Sequence, residues 1–295
     1  MDELVTKFQK CIEVYKTIKD LELKKAYAID VIYYYEFFLK EHKAFGLFNM
    51  SFINNLVKNL CNDSFFLSVS NSFYNNTSEI NYVFSKDEYL FIKKILKHIK
   101  MTSISGNEIV IDINVLNKYM KNSRLFDTVS NTYKYYNSRM SNSYFLNLNN
   151  EKVVALSNKN ILTLIHELVH AEVRESKFEE FPSMLAEYSL ASYHKLGDSC
   201  ERIDKLKYVQ NIKTRKYNKL KQEYYELLKY VYGFVLSIAF INVNGNDATN
   251  IDKIIKIVNS NPNMNIFELL NTLNLNKYDI IKGMNNYKKI LTKDW

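Results

Sequence analysis

Glycine and proline, the residues that most often form turns, are scarce in this chain. Only 6 glycines and 2 prolines occur in 295 residues. A protein with many short strands needs turn residues at its connections, so this scarcity argues against such a fold and favours long helices. The expected fold class is therefore mainly α. A chain of this length can fold as one large domain or as two smaller ones.

Cysteine and long apolar runs are also limited. The 3 cysteines, Cys11, Cys61 and Cys200, are widely separated and form no Cys-x-x-Cys pair, which is typical of reduced thiols in a reducing compartment. The first residues are acidic and amphipathic, unlike a signal peptide, and no continuous apolar run is long enough to span a bilayer. We expect a cytoplasmic protein with no membrane partner.

The charge balance is positive, with a formal net charge of +8. Such a charge can indicate an anionic partner. The lysines, however, are spread along the whole chain and alternate with acidic residues, and no dense basic run or nucleic-acid motif occurs. We therefore expect no nucleic-acid partner, and a protein that is a monomer or a weak oligomer.

Histidine is rare as well, yet two of the 5 histidines lie four residues apart in one apolar segment. This segment, Asn160–Val173, has apolar residues at helical spacing and no glycine or proline, which predicts a mostly buried helix. His166 and His170 then share one face and can bind a single metal ion. Glu167 lies about 100° around the helix, where a general base for a metal-bound water belongs. The alternative is an accidental pattern of hydrogen-bonded core histidines.

A catalytic zinc site needs a third protein ligand and an open position for water. Glu180 and Glu187 follow the histidine motif in a segment where Pro182 suits the first turn of a new helix. Because they are seven residues apart, the two carboxylates fall on nearly the same face. Both are candidate ligands. Glu179 is a weaker candidate because it lies on a different face of the helix. The alternative is that they are solvated helix carboxylates.

Two short segments before the motif have the pattern of strands. Tyr144–Asn149 and Lys152–Leu156 predict a small β-sheet whose second strand leads into the metal helix, with Ser157 or Asn158 as the N-cap. An open strand edge can bind an extended peptide through main-chain hydrogen bonds. The expected peptide-binding residues are Tyr144, Leu146 and Asn147.

A helical segment rich in tyrosine, residues 222–240, contains one glycine, Gly233. A glycine within a helix allows another backbone to approach closely. A tyrosine hydroxyl directed at the metal could stabilise a developing oxyanion, although packing in the core is the alternative for each tyrosine. The tyrosines concerned are Tyr224, Tyr225, Tyr230 and Tyr232.

Taken in chain order, the strand segment, the histidine motif, the Glu180–Glu187 segment and the tyrosine-rich segment resemble the catalytic half of the thimet oligopeptidase and oligoendopeptidase F family of zinc peptidases. The Glu-x-Pro-Ser-x-x-x-Glu element from Glu180 to Glu187 is the most specific part, because many unrelated families share the His-Glu-x-x-His motif. The tail, Asn250 to Trp295, is predicted as two short helices separated by Pro262 and Asn263. Within it, Ile266–Leu270 and Tyr278–Met284 are similar to the closing helices of the family. The other matching segments are Tyr144–Leu148, Thr163–His170 and Tyr230–Ser237.

The resemblance implies a two-lobed helical zincin with a small β-sheet beside the metal helix and a substrate channel between the lobes. The helical N-terminal lobe would comprise residues 1–140 and the catalytic zinc-binding lobe residues 141–295, as one continuous folded unit. One zinc ion per chain would be bound by His166, His170 and Glu180. Glu167 would act as the general base, and Glu187 would orient a ligand. Tyr230 matches a family tyrosine that stabilises the carbonyl oxygen of the tetrahedral intermediate, and Tyr225 is the nearest match to a second one.

The activity that follows is hydrolysis of internal bonds in short unstructured peptides. The chain departs from the family pattern, however. It is shorter, only nine residues separate His170 from Glu180, and no histidine follows His194. These departures motivate the alternative of a zinc-containing peptide-binding protein of the same fold without efficient catalysis.

Overall fold

The computed structural model of the protein describes residues 2–76, 82–100, 112–125, 134–137, 143–148, 151–156, 158–194, 201–211 and 221–292. Helices dominate, which confirms the mainly helical fold class. Contacts within the chain define two compact units. The first comprises Met1–Glu79 and Thr132–Asn158, and the second comprises Ile80–Asn131 and Lys159–Trp295. The contacts therefore group residues 80–131 with the second unit, whereas the sequence analysis assigned them to the N-terminal lobe.

Four helices build most of the first unit around an aromatic core. They are α1 (Asp2–Thr17), α2 (Leu21–Phe45), α3 (Met50–Val57) and α4 (Ser64–Asn76). The Asp20 side chain caps α2, and Gly46 ends it in the left-handed conformation, where its N–H donates to the carbonyl of His42. The buried rings of the core include Phe8, Tyr15, Tyr34, Phe38 and Phe48.

The first unit also contains a three-stranded sheet. Its strands are β1 (Lys134–Asn137), β2 (Tyr144–Leu148) and β3 (Glu151–Leu156). The order is β1-β3-β2, with β3 parallel to β1 and antiparallel to β2. The strand that precedes the histidine motif is therefore paired on both sides. Among the described strands, an additional peptide could pair only with the outer edge of β1 or β2.

Ten helices form the described part of the second unit. They are α5 (Lys86–Leu96), α6 (Ile113–Met120), α7 (Ile161–His170), α8 (Glu180–His194), α9 (Glu201–Asn211), α10 (Lys221–Asn244), α11 (Thr249–Ser260), α12 (Ile266–Thr272), α13 (Lys277–Asn285) and α14 (Tyr287–Thr292). Helix α8 lies at the centre, where it packs against α7, α10, α11 and α14. The histidine motif on α7 is thus held against the most buried helix of the unit.

Two local predictions were wrong. The metal helix begins later than expected, because Asn160 is its N-cap and its side chain accepts a hydrogen bond from the N–H of Leu162; Ser157 lies outside the described residues. The tail contains four helices rather than two. The region after Pro262 is divided into α12, which starts at a capping box formed by Asn265, α13, which starts at a second box formed by Asn276, and the short helix α14. The position of Pro182 in the first turn of α8 is confirmed.

One helical window of the described residues, Leu227–Asn244, is long enough and on average apolar enough to cross a membrane, although Lys229 interrupts the apolar run. Within the protein, 67% of this window is buried. Core helices of soluble proteins share these properties, so the finding is compatible with a soluble protein.

Candidate metal site

The site is built from two adjacent helices, α7 and α8. His166 and His170 are one turn apart on α7, and Glu180 is the first residue of α8. The Nε2 atoms of the two histidines lie 3.1 Å apart. The Oε2 atom of Glu180 lies 3.4 Å from Nε2 of His166 and 3.6 Å from Nε2 of His170. Three potential ligand atoms therefore converge on one point.

The size of this triangle suits zinc. Bonds from zinc to nitrogen or carboxylate oxygen are about 2.0–2.2 Å, and a tetrahedron with such bonds has edges of about 3.3–3.6 Å. The observed separations of 3.1, 3.4 and 3.6 Å scatter around that value. An ion at the centre would contact three protein atoms and keep a fourth position open, as catalytic zinc sites do.

The carboxylate of Glu180 is buried and yet has a lowered pKa. The residue is 2% exposed, and its Oε2 atom has no hydrogen-bond partner among the described residues. Burial alone raises the pKa of Glu180, but the adjacent His170 and His166 hold it well below its ordinary value. A buried carboxylate that stays ionised requires a cation beside it.

The other side of His166 contacts a second carboxylate. Its Nδ1 atom lies 3.0 Å from Oε2 of Glu187, two turns further along α8. Burial lowers the pKa of His166, but the carboxylates of Glu180 and Glu187 raise it to about 10. Glu187 also fixes the ring so that Nε2 faces the other ligand atoms, as carboxylates that orient metal-binding histidines do.

Glu167 lies next to His166 on α7 and is also buried. Burial raises the pKa of Glu167, and this effect outweighs the lowering by His166 and His170. A carboxylate with a raised pKa is a better proton acceptor near neutral pH than an exposed one. The arrangement therefore combines three potential ligand atoms with a neighbouring buried carboxylate whose pKa is raised.

Helix α10 approaches the site through Gly233. A Cβ atom at this position would lie 2.9 Å from Cβ of Glu180 and 2.9 Å from the sulfur of Met184. No side chain fits there without a shift, so glycine is what allows α10 to contact α8 at Glu180. The close backbone approach expected at Gly233 is confirmed, and its partner is the helix that carries the third ligand atom.

The two tyrosines assigned to catalysis lie on α10, before Gly233. The Tyr225 hydroxyl donates to the carbonyl of Ser176 at 3.4 Å, and its ring stacks on Phe84. The Tyr230 ring lies 4.3 Å from Nζ of Lys205 and 5.4 Å from Nζ of Lys229. Stabilisation of an oxyanion by these tyrosines remains a prediction. The side chain of Tyr224 lies outside the described residues, and Tyr232 is buried.

The residues assigned to peptide binding lie in the other unit. Tyr144, Leu146 and Asn147 belong to β2, and their side chains lie outside the described part of the structure. Their main chain faces β3 on one side, with Tyr144 opposite Ala155 and Leu146 opposite Val153. Their role in binding a peptide remains a prediction.

Two features near the site were not found from the sequence. Lys229 contacts both Glu179 and Glu180 through its Nζ atom, at 2.9 and 3.7 Å. Lys177, in the segment between α7 and α8, forms a buried ion pair with Glu88 of α5 at 3.2 Å. Both pairs join residues far apart in the chain, so spacing along the sequence carries no signal for them. The capping-box position of Glu88 was the one visible sign of its importance.

Comparison of the chain with models of known protein families, with curated proteins and with solved structures finds no match.

Proposed function

We propose that this protein is a zinc-dependent metallopeptidase that hydrolyses internal bonds of short unstructured peptides. One observation carries the proposal, namely the convergence of Nε2 of His166, Nε2 of His170 and Oε2 of Glu180 at the spacing of a tetrahedral metal site. The buried Glu167 beside this point separates it from a purely structural site, which would have four protein ligands and need no base.

The chemistry assigns one role to each residue. A zinc ion bound by His166, His170 and Glu180 supplies a Lewis acid that polarises the scissile carbonyl and acidifies water. Glu167 accepts a proton as the water oxygen bonds to the carbonyl carbon, and it transfers this proton to the amine nitrogen as the carbon–nitrogen bond breaks. Glu187 keeps the ring of His166 oriented. Tyr230 and Tyr225 would donate to the carbonyl oxygen, and Tyr225 would then exchange its hydrogen bond to the carbonyl of Ser176 for one to the substrate.

We further propose that the protein is a compact relative of the thimet oligopeptidase and oligoendopeptidase F family. Its finer architecture would then be a two-lobed zincin with the sheet beside the metal helix and a substrate channel between the lobes. A peptide would bind along β2 in extended form. In this proposal the enzyme acts in the cytoplasm as a monomer or weak oligomer, with one zinc ion per chain.

Mass spectrometry of a mixed peptide library, incubated with the protein in the presence and absence of a chelator, tests the activity. We expect internal cleavages that the chelator abolishes and that added zinc restores. The variant Glu167→Gln is the matched control, since it keeps the three ligands and removes only the base. It should retain zinc and lose nearly all turnover, and full activity in this variant would exclude Glu167 as the base. If peptides bind tightly but are not cut, the protein is a zinc-containing peptide-binding protein instead.

A further inference from the structure

The strongest unassigned feature of the second unit is the position of Lys229. This residue lies on α10, one helical turn before Gly233, and its side chain is 12% exposed. Its Nζ atom lies 2.9 Å from Oε1 of Glu179 and 3.7 Å from Oε1 of Glu180. A largely buried lysine thus bridges two consecutive carboxylates, one of which belongs to the candidate metal site.

The two oxygens of Glu180 face different side chains. Oε1 is on the side of Lys229, while Oε2 is on the side of His166 and His170. A carboxylate can bind a metal through one oxygen or through both. A fixed positive charge beside Oε1 competes with the metal for that oxygen and leaves Oε2 as the ligand atom.

We propose that Lys229 is a positioning residue that restricts Glu180 to binding the metal through Oε2 alone. The proposal rests on the proposed metal site and adds the reason why that site keeps room for water and a substrate carbonyl. If Glu180 used both oxygens, the second one would occupy space that the reaction needs. Glu179 holds the ammonium group in place from the other side, and its pairing with Lys229 offsets part of the cost of burying that charge.

The backbone supports the same arrangement. Gly233 lets α10 approach the main chain and Cβ of Glu180, so the distance from the lysine to the carboxylate does not depend on a flexible loop. Lys229 and Gly233 are four residues apart and share one face of α10. Helix α10 therefore contacts Glu180 at Gly233 and also carries Lys229, whose positive charge orients the Glu180 carboxylate.

Visible absorption of the protein loaded with cobalt(II) in place of zinc tests the proposal, because the spectrum depends on the coordination number of the ion. The variant Lys229→Met keeps the length and apolar stem of the side chain and removes the charge. We expect this variant to bind cobalt with a marked loss of visible absorbance, as Glu180 gains a second bond to the ion. Lys229→Arg, which keeps the charge, should retain the spectrum of the unmodified protein. The kcat of Lys229→Met should fall about 10- to 100-fold with little change in KM.

Lys177→Met is the matched structural control, because it also removes a buried lysine from the same unit. Lys177 pairs with Glu88 rather than with Glu180, so this variant should lose stability and keep the cobalt spectrum. If Lys229→Met does not fold, Lys229→Gln is used, and it should change the spectrum in the same direction.

The outcomes separate the two proposals. An unchanged spectrum in folded Lys229→Met or Lys229→Gln overturns the role of Lys229 and leaves the metal site intact. A spectral change of the same size in Lys177→Met also overturns it, since loss of packing alone would then be sufficient. Failure of the unmodified protein to bind cobalt or zinc overturns the proposed function itself.

Discussion

Gly233 shows how much of this site depends on one missing side chain. The space for its Cβ is already taken by Cβ of Glu180 and the sulfur of Met184, each at 2.9 Å, and the backbone carbon of Glu180 is at 3.1 Å. The sulfur can move, but the backbone of a helix cannot move without its neighbours. The position of Glu180 relative to α10 is therefore fixed by packing as well as by charge.

We predict that Gly233→Ala lowers the free energy of unfolding by about 1–3 kcal/mol, the usual range for overpacking a close contact. It should also weaken zinc binding, because α8 must shift at the ligand. Chemical denaturation and competition with a chromophoric chelator measure the two effects.

Gly283→Ala provides the matched control. Its Cβ would lie 2.8 Å from Cα of Ala239, so a comparable loss of stability is expected, but the contact involves no proposed ligand. If both variants weaken zinc binding equally, the weaker binding results from lower stability of the whole unit. The proposal that Gly233 specifically holds Glu180 in place would then be wrong.

The residues of the candidate site could be identified from the sequence to different extents. His166, Glu167 and His170 were identified because histidines four residues apart on a helix share one face. The seven-residue spacing of Glu180 and Glu187 brought both carboxylates into consideration. Lys229 was not found, since a lysine in a helix rich in tyrosine has no local pattern that shows which carboxylate it contacts. Its partners are set by tertiary packing.

At the scale of elements, the N-terminal caps of the helices determined which helix starts could be predicted from the sequence. The capping box at the start of α5 follows the sequence pattern Ser85-Lys-Asp-Glu88, which is typical of a helix start, and it is present. The boxes that start at Asn265 and Asn276 were missed, because asparagine is so frequent in this chain that its capping role is hard to distinguish from background. The register of the sheet was not predictable either, since β1 pairs with β3 and not with β2, the next strand in the chain.

Asp63 is the clearest example of an element held by one side chain. Its Oδ1 atom accepts hydrogen bonds from the N–H groups of Phe65 and Phe66 at the start of α4. Its Oδ2 atom accepts a hydrogen bond from the hydroxyl of Tyr15 on α1 at 2.8 Å. Burial raises the pKa of Asp63, but these hydrogen bonds and Lys24 outweigh it and lower the pKa below 3.8.

We predict that Asp63→Asn destabilises the first unit by about 1 kcal/mol at neutral pH, as expected for loss of a charged cap. Because the folded pKa is lowered, the stabilisation by the carboxylate is present above the unfolded pKa of 3.8. It is lost as pH falls through the folded pKa.

The difference in stability between the unmodified protein and Asp63→Asn should therefore disappear in acid. Hydrogen exchange of the α1 and α4 amides, or denaturation followed by circular dichroism at several pH values, measures it. A difference that stays constant down to the lowest pH would show that the charge of Asp63 contributes nothing.

On the scale of the whole molecule, the division into two units was the least predictable feature. Residues 80–131 precede the sheet in the chain but are grouped by contacts with the helices that follow it. Such contacts include the hydrogen bond from Tyr119 to the carbonyl of Asn246 and the ion pair between Glu88 and Lys177. A boundary chosen from composition and resemblance has no access to these long-range pairs.

The location of the site within one unit leads to a prediction about metal removal. His166, His170 and Glu180 all belong to the second unit, and metal binding stabilises the state that holds the ligands together. Chelation should therefore increase hydrogen exchange in α7, α8 and α10 and leave α1 to α4 unchanged. A uniform increase across both units would contradict a local metal site.

The metal content of the purified protein tests the central claim most directly. Elemental analysis should find about one zinc ion per chain in the unmodified protein and in Glu167→Gln, and little or none in folded His170→Ala, which has lost one of the three converging ligands. No metal in the unmodified protein, or an equal amount in His170→Ala, would contradict the account, because the convergence of His166, His170 and Glu180 would then not be a metal site.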